Sequence, residues 1–293
     1  MKKLQVVLGF DMETDIGSWT PYYEGFVKGT PQILKVLGKN EITATFYFTG
    51  HSVQKHPGVV KDVKKAGHEI ACHGLFHETI GDQLFEIPGI YPLLPEEIYP
   101  RLKLSTELVE KAAGIRPVSF RAPRLFGSTP MLNALEKLKY KTDATYPMYF
   151  YKKQLAPYHP SKTDWTEKGN MKILELPNFA DLSMKSKDKY GRDMDQWPLF
   201  RTESADAVLK HIDGYISFCR KKSITPFLCF YFHPWEFYKM PEGAIHYGEG
   251  SVTPDPFIVK NCGAYAVKQL DILVKKLLAR GAEFNQAKQL KSE

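Results

Sequence analysis

The chain lacks an apolar run long enough to cross a membrane. Its 293 residues contain no stretch that approaches the roughly 20 apolar residues of a spanning helix. Residues 1–10 begin like a signal peptide, but the apolar run breaks at Asp11, is too short for an h-region and has no small-residue cleavage site. The sequence therefore predicts a soluble cytoplasmic protein with no membrane segment.

Cysteine is scarce, and no pair has the C-x-x-C spacing of a redox or structural zinc site. Three of the four cysteines lie in apolar segments, where a cysteine usually behaves as a small buried hydrophobe. We therefore expect reduced thiols. The four positions are Cys72, Cys219, Cys229 and Cys262.

The chain also lacks a concentrated tract of positive charge, although its formal net charge is +7. The lysines are spread along predicted helix faces, as at Lys61, Lys64 and Lys65. This spread predicts a solvated surface and no nucleic-acid partner. A mildly basic surface would also suit a polyanionic substrate, which charge alone does not establish.

Strand-like and helix-like segments alternate through most of the sequence. Predicted strands cover 4–10, 43–48, 68–72, 118–121, 141–144, 172–176 and 227–232, with a weak eighth at 283–285. Predicted helices begin at Thr30-Pro31, Pro57, Arg101, Thr129-Pro130, Ser204 and Gly263. This alternation predicts a parallel sheet with outer helices, closed or nearly closed into a barrel, and an open doubly wound sheet is the alternative. Because no segment resembles a linker, we expect one domain over 1–293.

Two histidines stand four residues apart at His73 and His77. If they share one face of a helical turn, both imidazoles reach one metal ion. A carboxylate from a distant segment would be the third protein ligand, and Asp11 and Glu13 follow a predicted strand near the N-terminus. Two histidines and a carboxylate with an open position are typical of a catalytic metal centre.

Polar groups recur where predicted strands end. The carboxyl ends of parallel barrel strands meet at one face, which is where active sites of such barrels lie. We therefore expect one site at this face. Its candidate residues are Asp11, Glu13, His73, Arg121, Asp143 and His233.

Together these residues resemble the polysaccharide deacetylase (NodB-homology) family, carbohydrate esterase family 4. The family motif T-F-D-D-G is matched by GFDME at 9–13, and H-[ST]-x-x-H by HGLFH at 73–77. R-x-P is matched by RAPR at 121–124, and the last two motifs by Asp143 and His233. The resemblance runs from about residue 4 to 285 and implies a distorted (β/α)7 barrel.

Some positions depart from the common pattern. His233 is followed by Pro234, where many extracellular members have Asp. The D-x-E spacing at Asp11, the glycine after His73 and the missing signal peptide are more similar to the intracellular branch. That branch contains peptidoglycan-deacetylase-like and allantoinase-like proteins. Relatives in it often assemble, so a homo-oligomer is one option.

The resemblance implies a divalent metal, for which zinc is expected, held by Glu13, His73 and His77. Asp15 is the alternative to Glu13 as the carboxylate ligand. The metal would lower the pKa of a bound water and polarise the substrate carbonyl. The backbone N–H of Arg124 would stabilise the oxyanion.

The resemblance also implies the proton-transfer groups. Asp11 would be the general base, kept ionised by Arg121 through a charge-assisted hydrogen bond. His233 would be the general acid that protonates the departing amine. Asp143 would orient and charge His233.

The implied reaction is hydrolysis of a non-peptide C–N bond, most simply deacetylation of an amino sugar or a related polysaccharide. An allantoinase-like hydrolase of cyclic amides and a non-catalytic carbohydrate-binding barrel are the alternatives. An open groove lined by aromatic side chains would favour the amino-sugar deacetylase, and a small closed pocket would favour the allantoinase-like enzyme. Tyr146, Tyr149, Phe150 and Tyr151 are candidates for stacking on sugar rings.

Overall fold

The computed structural model describes residues 3–291. Eight strands form one parallel sheet: β1 (Gln5–Met12), β2 (Thr45–Phe48), β3 (Glu69–Cys72), β4 (Ser119–Phe120), β5 (Thr142–Asp143), β6 (Leu174–Glu175), β7 (Phe227–Phe232) and β10 (Glu283–Phe284). Their order is β10-β1-β2-β3-β4-β5-β6, and β1 also pairs with β7. A separate hairpin consists of β8 (Ile245–Tyr247) and β9 (Gly250–Val252).

The sheet curls into a distorted barrel that is incomplete between β6 and β7. Within residues 3–291 no strand ladder joins these two strands, and the Phe179 N–H donates to the Cys229 carbonyl at 2.8 Å across the gap. The predicted parallel barrel is confirmed. Each predicted strand is also present, and the observed strand ends lie within two residues of the predicted ones.

Helices cover the outside of the sheet. They are α1 (Glu24–Lys39), α2 (Gly50–Lys55), α3 (Pro57–Lys65), α4 (Pro95–Ala113), α5 (Thr129–Lys137), α6 (Met148–Tyr151), α7 (Leu199–Thr202), α8 (Ala205–Lys221), α9 (Pro256–Val259) and α10 (Ala264–Ala279). No helix in the described part of the chain is both long and apolar enough to span a membrane. The four cysteines are free, as expected.

Alternation along β1 divides the core into two parts. Val6, Leu8 and Phe10 pack outward against the helices, whereas Val7 belongs to a smaller cluster that fills the barrel. Strands buried on both faces read as continuous apolar runs, as β7 does. This burial explains why the strands were recognisable in the sequence.

The predicted start of α1 at Thr30-Pro31 is wrong. The helix begins at Glu24, and Pro31 lies inside it at the loss of one helical hydrogen bond. The physical reason is a cap from outside the helix: the Asp15 carboxylate accepts the N–H groups of Gly25 and Phe26 at 2.9 and 3.0 Å. A carboxylate ten residues upstream is not part of a local start signal.

Helix α1 packs closely on the turn Pro234–Phe237, which follows β7. A Cβ at Gly29 would lie 1.9 Å from the Pro234 carbonyl oxygen, and one at Gly25 would lie 2.6 Å from the Trp235 Cα. Glycine at these positions therefore permits the helix to approach backbone atoms. This contact positions the segment directly after His233.

We predict that Gly29→Ala lowers the free energy of unfolding by about 1–3 kcal/mol, because the new methyl group overlaps a carbonyl that has no room to move. Gly38→Ala in the same helix is the matched control, since nothing lies within 4 Å of its added Cβ. There the change should be neutral or stabilising by up to about 1 kcal/mol. Urea unfolding of both variants tests this, and equal effects would contradict the close packing.

Candidate metal centre and active site

Glu13, His73 and His77 meet at the end of β1 and β3. Their ligand atoms lie within 4.8 Å of one another, and all three side chains are buried. Glu13 Oε2 lies 3.4 Å from His73 Nε2 and also contacts His77 Nε2. Neither oxygen of Glu13 nor His73 Nε2 has a hydrogen-bond partner among the described residues. Such unpaired buried atoms are costly unless something binds them, so this donor set fits a divalent cation.

The protonation of these groups suits metal binding. Burial raises the pKa of Glu13, but the neighbouring His77 and His73 outweigh burial and hold it well below its ordinary value. Burial lowers the pKa of His77 to about 4, so this imidazole is neutral. His73 Nδ1 lies 2.7 Å from the Arg121 carbonyl, which can only accept, so Nδ1 carries the proton and Nε2 keeps its lone pair.

The predicted helical turn at 73–77 is wrong. This segment is a loop, with positive φ of 78° at Gly74 and 63° at His77. The Gly74 carbonyl accepts the Gly50 N–H at 2.9 Å, and the Glu78 carboxylate accepts two N–H groups of the loop. One long-range bond and two bonds within the loop, and not helical bonds, bring the two imidazoles together.

The structure also separates the two candidate carboxylates. Glu13 stands between the histidines, whereas Asp15 is bonded to the first turn of α1. The geometry therefore favours Glu13 as the ligand.

Asp11 and Arg121 form a buried ion pair. Arg121 Nη1 donates to Asp11 Oδ1 at 2.8 Å. The predicted contact is therefore present in the structure. The role of Asp11 as general base stays a prediction.

The carboxylate that contacts His233 is Glu236. His233 Nδ1 lies 3.0 Å from Glu236 Oε1, and Arg201 Nε donates to Glu236 Oε2 at 2.6 Å. Burial lowers the pKa of His233, but the hydrogen bond to Glu236 and the charge of Glu13 outweigh it, so the net pKa is raised. Burial also raises the pKa of Glu236, and the Arg201 charge reverses this and lowers it.

The predicted contact between Asp143 and His233 is wrong. Asp143 Oδ1 accepts the Thr145 hydroxyl at 2.7 Å, and Thr145 Oγ1 accepts the Ala122 N–H at 2.9 Å. Burial raises the pKa of Asp143 to about 6, and burial together with the Asp143 charge raises the pKa of Glu175 well above its ordinary value. Asp143 thus supports the backbone around Ala122.

A local signal for Glu236 was available. It lies three residues after His233, and its carboxylate accepts the His233 backbone N–H at 2.9 Å in the manner of a capping box. The pattern H-P-W-E contained this carboxylate. Arg201 had no such signal, because it comes from the distant α7.

Arg124 has a left-handed backbone, with φ of 59°. Its guanidinium donates to the His77 carbonyl at 2.9 Å. Within residues 3–291 its backbone N–H has no hydrogen-bond acceptor. The oxyanion role of this N–H stays a prediction.

These groups surround one cavity of about 260 Å³. Asp11, Glu13, His77, Arg124 and His233 line it together. Its other walls are mostly aromatic, and it includes one cation that sequence reasoning missed, Arg192. The aromatic lining consists of Trp19, Phe85, Tyr149, Trp197, Tyr231, Trp235 and Phe257.

Comparison with known proteins supports the family resemblance over the N-terminal part of the chain. The polysaccharide deacetylase family model matches residues 2–142. Residues 2–142, a little under half of the chain, are therefore similar to the polysaccharide deacetylase family. The predicted family is confirmed, and the match includes Asp11, Arg121 and the residues of the candidate metal centre. His233 and Glu236 lie beyond it, so their place in the site depends on the geometry described above.

Curated relatives match part of the chain. The peptidoglycan-N-acetylmuramic acid deacetylase of Bacillus subtilis is 31% identical over 120 residues, which are 40% of this chain and 42% of that protein. A peptidoglycan-N-acetylglucosamine deacetylase of Bacillus cereus is 27% identical over 159 residues, 54% of this chain and 63% of that protein. The chain spans about half the length of the curated relatives that it matches.

Solved structures share the fold over nearly the whole chain. A proposed polysaccharide deacetylase from Mycobacterium smegmatis has a TM-score of 0.62 at 18% identity, covering 98% of this chain and 88% of that one. A CE4 family pseudoenzyme from Bacillus anthracis has a TM-score of 0.53 at 14% identity, covering 99% and 66%. At these identities the likeness establishes the fold alone.

We predict that purified protein contains about one divalent ion per chain, because three buried donors converge with no other partner. Glu13→Ala should lose the ion, and Asp15→Asn should retain it, since Asp15 caps a helix. Elemental mass spectrometry on both variants measures this. Loss of the ion in Asp15→Asn alone would contradict the assignment of Glu13.

Proposed function

We propose that this protein is a metal-dependent deacetylase that hydrolyses the N-acyl bond of an amino sugar. The observation that supports it most is the convergence of three sets of groups on one cavity. These are the Glu13–His73–His77 cluster, the Asp11–Arg121 pair and the His233–Glu236 pair. A divalent ion, for which zinc is our expectation, would be held by that cluster and would supply Lewis-acid activation of water and of the amide carbonyl.

Asp11 would take the proton of the attacking water. Arg121 Nη1 binds Asp11 Oδ1, so Oδ2 is the oxygen that remains to accept a proton. The buried guanidinium also holds the Asp11 carboxylate in one orientation through this charge-assisted hydrogen bond. The backbone N–H of Arg124 would donate to the developing oxyanion.

His233 would protonate the leaving amine. Its Nδ1 is bonded to Glu236, so Nε2 is the nitrogen that faces Glu13, at 3.9 Å from Oε1. Arg201 holds Glu236 in place and ionised, and the Glu236 charge stabilises the imidazolium form of His233. Glu236 would therefore have the role that the sequence assigned to Asp143.

The cavity wall favours a sugar over a small cyclic amide. Trp19 and Phe257 are 44% and 47% exposed at its rim, which leaves flat aromatic surface open to solvent. Among the aromatic residues suggested by the sequence, Tyr149 lines the cavity, whereas Tyr146 and Tyr151 pack against Trp165. The allantoinase-like alternative stays a prediction without a feature of this site that favours it.

Similarity to peptidoglycan deacetylases supports an N-acetylated sugar as the substrate class. A structural neighbour is a pseudoenzyme, so turnover needs direct measurement. Release of free amine from N-acetylglucosamine oligomers and peptidoglycan fragments tests it, and binding without release would favour the binding-only alternative. The cytoplasmic location, the single domain over 1–293, the lack of nucleic-acid and membrane partners and the option of a homo-oligomer stay predictions.

We predict that Glu236→Gln lowers kcat by about 100-fold or more, because an uncharged partner no longer stabilises protonated His233. KM should change less than about threefold, since Glu236 lies behind the imidazole and is fully buried. Glu236→Asp should restore part of the activity. Steady-state kinetics measures both parameters.

The matched control is Asp143→Asn, which also removes a buried carboxylate but does not touch His233. We expect its kcat to fall by less than about tenfold. Circular dichroism verifies that each variant is folded. A larger loss of kcat in Asp143→Asn than in Glu236→Gln would overturn the role assigned to Glu236.

A further inference from the structure

Arg192 is a cation of the cavity that the proposed reaction does not use. It lies in the short turn Arg192–Met194, and its guanidinium carbon is 5.2 Å from the centre of the Trp197 ring and 5.5 Å from that of Phe85. Within residues 3–291 no salt bridge joins its guanidinium to a carboxylate, although Tyr231 and Asp195 act on its charge. Arg121, in contrast, forms a direct salt bridge with Asp11.

Asp195 is the acid whose charge acts on Arg192, and it has other partners. Its carboxylate accepts the Tyr231 hydroxyl at 2.6 Å and the Trp197 N–H at 2.7 Å. Burial raises the pKa of Asp195 to about 7, although the Arg192 charge opposes this. Within the described residues the Arg192 charge is therefore not matched by a direct salt bridge.

The segment that carries Arg192 is ordered by its own hydrogen bonds. The Asp188 carboxylate accepts the Arg192 N–H at 3.1 Å and the Tyr190 N–H at 2.7 Å. Gly191 has a φ of 84°, and a Cβ there would lie 2.7 Å from Met194 Cε and 2.9 Å from the Tyr149 carbonyl. The backbone at Arg192 is thus held by these bonds, and its guanidinium lies against the Trp197 and Phe85 rings, which reduces the entropy lost on binding.

We propose that Arg192 binds an anionic substituent of the substrate, so that the substrate class is an N-acyl amino sugar bearing a carboxylate or a phosphate. The proposal rests on the proposed function, because it concerns the same cavity. A planar guanidinium binds either anion through two parallel hydrogen bonds. Trp197 contacts both Arg192 and His233, whose ring centre is 5.8 Å away, so the anion and the departing amine would belong to one sugar residue.

The test compares four probes on the purified, metal-containing protein: N-acetylglucosamine, N-acetylmuramic acid, its neutral methyl ester and N-acetylglucosamine 6-phosphate. The acid and its ester differ in charge and little in shape. We expect the wild type to have a KM at least tenfold lower for an acidic probe than for the neutral ones, which is the usual effect of one charge-assisted contact. Preference for the carboxylate or for the phosphate identifies which anion the site accepts.

Arg192→Gln should abolish this preference while kcat changes less than about threefold, and Arg192→Lys should retain part of it. Lys189→Gln is the matched control, because it removes one positive charge from the same loop at an exposed position. That control should behave like the wild type. Equal KM values for all probes in the wild type, or equal loss for acidic and neutral probes in Arg192→Gln, would overturn the proposal.

Calorimetric binding of the deacetylated sugars separates this proposal from the proposed function. Tighter binding of muramic acid or glucosamine 6-phosphate than of glucosamine, lost in Arg192→Gln, would support the anion site even if no amine is released from any probe. That pattern would overturn the deacetylase proposal alone. Turnover of N-acetylglucosamine with no preference for acidic sugars would support the deacetylase proposal and overturn the anion site at Arg192.

Discussion

The buried guanidinium of Arg121 is the group around which the barrel and the site are organised. A charge removed from water is costly unless its donors are used, and here they reach four segments of the sheet. The guanidinium also lies 4.4 Å from the centre of the Tyr47 ring. Its hydrogen-bond acceptors are Asp11 Oδ1, the carbonyls of Ala144 and Phe230, and Asn178 Oδ1.

This arrangement places constraints on its neighbours. A Cβ at Gly9 would lie 2.1 Å from Arg121 Nη1, so glycine in β1 leaves the space that the guanidinium fills. The Arg121 carbonyl accepts the Nδ1 proton of His73, and this bond determines which nitrogen of His73 faces Glu13. One residue therefore orients the candidate base through its side chain and a candidate metal ligand through its backbone.

The candidate metal ligands and the candidate general acid are held in place by different parts of the structure. Asp11, Glu13 and the two histidines stand on the early strands, within the part that matches the family model. His233 stands at the end of β7 and depends on Glu236 and Arg201, with α1 packed against the same turn. Metal binding and amine protonation would thus be supported by separate hydrogen-bond networks that meet at one cavity.

The strands, their parallel arrangement and the residues at their ends were predictable from the amino-acid sequence, because buried strands read as apolar runs and parallel strands align their carboxyl ends. The partner of each carboxylate became evident only in the folded protein: Glu13 rather than Asp15 contacts the histidines, and Glu236 rather than Asp143 contacts His233. The position of Arg192 in the cavity wall also depends on the tertiary structure. These choices depend on side-chain directions and on contacts between distant segments, which neither spacing nor periodicity encodes.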